Sequence, residues 1–196
     1  LLSVLDWGLE RGVRSEIFSA YWKHLDKIER GVESYKTLPV DQWKGMHAPW
    51  IGFFKALQQS GLLKDPGSGW DYVPNQQDGF MGLWWHVLGG KGETRPYLQL
   101  EFHKLCFKVA IGEKDQGQWA EKWESWHREI MCSSQGSGLK VKRPARRARG
   151  TCMTVAVLDD DYRAMKPDGT IDVTETMKLL RKAEAVLSGA VESSKS

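Results

Sequence analysis

Six cations stand close together near the middle of the second half of the chain: Lys140, Lys142, Arg143, Arg146, Arg147 and Arg149. No acid lies between Ile130 and Leu158 to neutralise them locally. Unpaired lysines and arginines attract phosphates and release counterions on contact, so this strap is a candidate nucleic-acid contact. An acidic protein surface would satisfy it equally. By itself the strap positions a partner and reads no base sequence. Its spacing matches no helix face, Pro144 interrupts any helix, and glycines and serines precede it, so residues 134–150 are expected to form a loop. The formal charge of the chain is +3, and removing the six leaves the rest at −3. This is a mildly acidic domain with one basic segment.

Metal-dependent phosphodiester chemistry would need carboxylates and a lysine converging on a divalent cation such as Mg²⁺. The nearest approach is Asp71 or Asp78, then Glu101 and Lys104. On a regular strand Glu101 and Lys104, three residues apart, point to opposite faces; only a bulge at His103 would align them. The five histidines show no ligand spacing, and GGKGE lies between two strand-like runs, where it reads as a hairpin tip and not as a phosphate loop. Cys106, Cys132 and Cys152 form no C-x-x-C pair, which points to reduced thiols and a cytoplasmic setting. Cys106 sits in the apolar run LCFKVAI and is expected to be a buried, inert thiol.

Ten tryptophans are several times ordinary usage. Trp119, Trp123 and Trp126, with Ile130, form a helical stripe suited to a core. Trp84 and Trp85 are neighbours on a strand-like run, so they face opposite ways. One of the two must leave the main core, either to be covered by helices on the other face or to lie on an exposed face, where the pair would be a candidate aromatic recognition element.

The elements that would position these groups follow from periodicity. Leu1, Leu2, Leu5 and Leu9 mark a short helix ended near Gly12. Ser15 is a plausible N-cap for a second, with Ile17, Phe18, Tyr21, Trp22, Leu25, Ile28 and Val32 on its apolar face. Pro49 can open a third. WDYV, FMGLWWHVL, YLQLEF and LCFKVAI then alternate as strands whose short connections require antiparallel pairing. A helix from Gln116 to Cys132, a strand TCMTVAVL and a closing helix capped by Asp172 or Thr174 complete the chain, and the tail VESSKS is expected to fray. The predicted class is α+β: N-terminal helices, an antiparallel meander of four to five strands, and helices packed on the sheet. Residues 1–133 and 151–196 form one domain, with 134–150 as a loop within it. The opening in mid-helix without an initiator Met suggests a fragment of a longer protein. No apolar run approaches the ~20 residues of a membrane span.

The stretch GFMGLWWHVLGGKGETRPYLQLEFHKLCFKV resembles the downstream half of certain bacterial PD-(D/E)XK nuclease superfamily proteins. There, a strand ending in paired aromatics precedes a Tyr-Leu-Gln-(Ile/Leu)-Glu strand and a Leu-Cys-(Phe/Ile)-Lys strand. WDYVPN and the closing strand and helix are similar too. In such proteins the Asp and Glu-x-Lys motif lies upstream of this region, and this chain has no clean copy of it. The resemblance therefore implies a C-terminal accessory domain without catalytic residues or cofactor of its own, attached to a nuclease-like protein of the kind that acts in phage defence. Three readings follow. The first is a recognition domain contacting nucleic acid or an acidic partner through 140–149, with Trp84 and Trp85 as the aromatic element. The second is a divergent Mg²⁺ nuclease using Asp78, Glu101 and Lys104. The third is an interaction domain whose N-terminal helix packs on an upstream domain or a second copy.

Overall fold

A computed structural model describes residues 2–13, 15–74, 79–90, 93–112, 117–147 and 150–195. Helix α1 (Leu2–Glu10) and α2 (Glu16–Glu33) form an N-terminal hairpin. Ser15 caps α2 as its sequence predicts: the hydroxyl accepts from the Phe18 amide at 3.1 Å. The two helices meet where Gly8 lets the Phe18 ring approach, and the Trp22 indole donates to Asp6. The apolar stripe of α2 does not reach a core. None of its residues is buried, and Ile17 is 84% exposed. Only its C-terminal turn is tightly docked, on α3 (Ala48–Gln59), at Gly52. A Cβ there would stand 1.9 Å from the Val32 carbonyl oxygen, so only glycine permits the contact.

Pro49 lies in the first turn of α3, and the helix buries Phe53, Phe54 and Leu57. The sheet follows: β1 (Gly69–Val73), β2 (Phe80–Trp85), β3 (Arg95–Glu101) and β4 (Lys104–Ala110) pair in sequence as antiparallel neighbours. Helix α4 (Trp119–Ser134) then intervenes, and β5 (Val141–Lys142) and β6 (Cys152–Leu158) complete six strands in the order β1-β2-β3-β4-β6-β5. The expected meander of four to five strands is thus corrected to six, with its order broken at the end. The strand missed is β5, two residues inside the basic segment. It is too short to show alternation and exists through pairing with Val157 and Leu158.

Leu83, Trp85, Leu98, Leu100, Leu105, Phe107, Val109 and Met153 share one face of the sheet and are fully buried. Against them lies α5 (Val173–Lys195), whose Leu180, Ala183, Leu187 and Ala190 are also fully buried. Asp172 caps α5 by accepting from the Glu175 amide at 3.0 Å, and the helix continues through most of the tail expected to fray. Arg181 of α5 reaches the Gly61 carbonyl at 2.8 Å, tying α5 to the end of α3. In α4, Trp123, Trp126 and Ile130 are buried as the stripe predicts. Among the described residues no helix is long and apolar enough to cross a membrane.

Candidate functional site

Adjacent tryptophans on β2 separate the two faces of the sheet. Trp85 turns into the core, and its indole donates to Glu184 of α5 at 2.9 Å. Trp84 turns the other way and keeps partial exposure. Its indole donates to the Gly67 carbonyl at 2.9 Å, and its ring lies over Gly69, where a Cβ would sit 3.4 Å away. This second face also carries Tyr97, Gln99, Glu101, Lys104, Cys106, Lys108 and Thr154, by register with Trp84. The helices that touch the sheet do so on the apolar face. The second face is polar with half-buried aromatics.

The strand register places these groups in transverse rows. Gly69, Trp84, Gln99, Cys106, Val157 and Lys142 are successive partners across all six strands. The two recognition features of the sequence, Trp84 and the strap, therefore share one face. They are four strand spacings apart, ~19 Å.

Glu101 and Lys104 are direct partners across the β3–β4 hairpin, and so lie on the same face. The expectation of opposite faces fails because the strand does not continue: Phe102 and His103 form a two-residue turn, with Phe102 at a φ of 49°. The ion pair of Glu101 is nevertheless with Lys108, at 2.7 Å, and the Gln99 amide donates to the same carboxylate oxygen at 3.0 Å. Lys108 was overlooked in the sequence, although the alternation of KLCFK puts Lys104, Cys106 and Lys108 on one face. Asp78 lies outside the described residues, and Asp71 is on an exposed part of β1, beyond Gly82 from Glu101. Among the described residues no three histidine, cysteine, aspartate or glutamate side chains group to hold a metal. Cys106 lies under this network, 2% exposed. Burial foremost, then the Glu101 charge, pushes its thiol up to about 12, which leaves it protonated and unreactive at neutral pH. Burial likewise raises the Tyr97 phenol.

The strap is laid against α4. Arg143 holds both oxygens of Glu124, at 3.3 and 2.9 Å, and Arg147 pairs with the same carboxylate. Both guanidinium groups lie over the Trp123 ring, at 5.0 and 4.5 Å from its centroid. The Trp123 indole and the His127 ring in turn engage the Thr154 and Val155 carbonyls, each at 2.9 Å, beside the irregularity in β6. Lys142 pairs with Asp159. Hydrogen bonding from Arg143 holds the Glu124 carboxyl below its ordinary value, and Lys142 does the same for Asp159. Lys140 and Arg146 are exposed and form no ion pair among the described residues, whereas Arg149 lies outside them. These acids are 19 and 17 residues from their cations, so a local charge count could not register them. Each pair is solvent-exposed and weak in water, so a phosphate can compete for the arginines without a large penalty.

No family model, curated protein or solved structure matches this chain.

Proposed function

We propose that this chain is a non-catalytic recognition domain that binds single-stranded nucleic acid across the second face of its sheet, with the strap at one edge contacting phosphates. The observation that carries the reading is the row linking Trp84 to Lys142 on that face. Single strands are bound by pairing a stacking surface with a cationic groove, because every base has a π-face and every nucleotide a phosphate. Trp84 and Tyr97 supply the first. Lys142 with the exposed Lys140, Arg146, Lys104 and Arg95 supplies the second. The nuclease-superfamily resemblance, which implies an accessory role, supports this reading.

Fluorescence anisotropy with a labelled single-stranded oligonucleotide, repeated over a salt series, tests the reading. Five phosphate contacts on a single strand predict a log–log salt slope of about −3.5. Trp84→Ala should weaken binding by the ~1–3 kcal/mol of one stacked base. Joint replacement of Lys140 and Arg146 by alanine should make the slope shallower by about 1.4. Affinity that ignores salt, or that survives both changes, refutes the assignment.

A further inference from the structure

Two arginines of the strap are kept apart from the row that ends at Trp84. Lys142 belongs to that row, whereas Arg143, the next residue, turns to α4 and is joined there by Arg147. One carboxylate holds both. Arg143 donates from Nη1 and Nη2 to the two oxygens of Glu124, at 3.3 and 2.9 Å, and Nη2 of Arg147 reaches the same group. Both guanidinium groups lie over Trp123, whose ring also stacks on His127 with centroids 5.1 Å apart. Trp123 is fully buried, and its indole donates to the Thr154 carbonyl at 2.9 Å, so the platform under the arginines is fixed.

A guanidinium fork that fits a carboxylate fits a phosphate by the same geometry, through parallel N–H···O bonds. Glu124 therefore occupies donors that a phosphate would use, and its own charge opposes an approaching anion. The side chains of Arg143, Arg147 and Glu124 are 45, 41 and 40% exposed, so all three meet solvent. Exchanging the carboxylate for a phosphate buries no charge, and an exposed pair yields its partner readily. Glu121, nearly one turn earlier on α4, is exposed and makes no ion pair among the described residues. The two arginines thus converge on one particular acid of the helix.

We infer that Arg143 and Arg147 form a phosphate clamp that Glu124 holds shut, an internal carboxylate standing in the place of the ligand. The free protein then presents only its other cations to a polyanion. Opening the clamp adds two phosphate contacts at the β5 edge of the sheet and makes Glu124 a brake on affinity. The identity of the polyanion, a single strand, rests on the function proposed above. The clamp itself consists of α4 and the strap and does not include Trp84.

The test is Glu124→Gln in the full chain, which keeps the shape of the side chain and removes its charge. Glu121→Gln is the control for the change in net charge alone. Anisotropy with a labelled oligothymidylate should show Glu124→Gln binding about three- to tenfold more tightly, the release of two exposed pairs. Its salt slope should steepen from about −3.5 to about −4.9, two further contacts on a single strand. Glu121→Gln should stay within about twofold of the wild type, its charge being screened and unpaired. Replacing Arg143 and Arg147 together by alanine should erase the gain in the Glu124→Gln protein and leave wild-type affinity within about twofold. Inorganic polyphosphate has no base to stack, so it probes the clamp without the sheet face. Calorimetry should show Glu124→Gln binding it more tightly, with or without Trp84→Ala. If the oligonucleotide binds neither protein while polyphosphate shows the gain, the sheet-face reading falls and the clamp stands. If the oligonucleotide binds both proteins equally, the assignment of the clamp to a single strand is overturned. Polyphosphate affinity no tighter in Glu124→Gln than in the wild type, a gain matched by Glu121→Gln, or a gain that survives loss of both arginines overturns the clamp.

Discussion

Helices α2 and α5 are both long and amphipathic, and they end up in opposite circumstances. The apolar side of α5 packs on the sheet, with Leu180, Ala183 and Leu187 fully buried. The stripe of α2 is only half covered: Phe18, Trp22, Leu25 and Val32 are half-buried, whereas Ile17, Tyr21 and Ile28 are 84, 48 and 50% exposed, and Val4 and Trp7 of α1 add 65 and 54%. Hydrophobic periodicity says that a helix has an apolar face. It does not say whether the surface that covers that face belongs to the same chain. The difference arises at one joint, since α2 is closely docked only where Gly52 meets Val32, whereas α5 is held along its length.

Leu187→Ala should produce the largest effect, a loss of about 2–5 kcal/mol read from urea unfolding, because it opens a cavity under the sheet. Gly52→Ala should cost about 1–3 kcal/mol through overpacking. Its signature is regional: amide exchange should quicken in α2 while α5 keeps its protection. If both helices lose protection together, the two regions are one cooperative unit and the contrast is wrong. Ile17→Ala should stay within about 0.5 kcal/mol, the usual range for surface positions. A larger loss would mean that the α2 stripe is covered in solution.

The smallest expected effect concerns the strap and pH. The Glu124 carboxyl is depressed in the folded state, so its pairing with Arg143 stabilises the protein above the unfolded carboxylate value and is lost as pH falls through the folded one. Urea unfolding of the wild type and of Glu124→Gln, compared from neutral pH down to about pH 3, should show the two curves converging at the acid end. Curves that run parallel throughout would show that the strap does not rest on α4 through this pair. Adding salt should shrink the gap at neutral pH, since the pair is exposed.

Much of this arrangement is legible in the residues. Ser15, Pro49 and Asp172 announce helix starts through local backbone chemistry, and adjacency alone places Trp84 and Trp85 on opposite faces. Legibility ends where partners are distant. Strand β5 is invisible because two residues carry no period, and its identity comes from β6 alone. Glu101 and Lys104 are misjudged by extending a strand through a turn. The strap appears uncompensated because Glu124 and Asp159 approach only after α4 and β6 have folded. A cavity of about 350 Å³ lined by Val40, Trp43, Trp50, Phe102 and Arg163 brings together residues far apart in sequence and leaves no local signal at all.

The chain by itself determines where its helices and strands form and which side chains share each face, because capping, alternation and helical period are properties of neighbours. Tertiary structure alone decides which faces are covered and which cations keep their charge available. Those outcomes depend on distances of a few ångströms between residues far apart in sequence, and both burial and Coulomb attraction are set by that proximity.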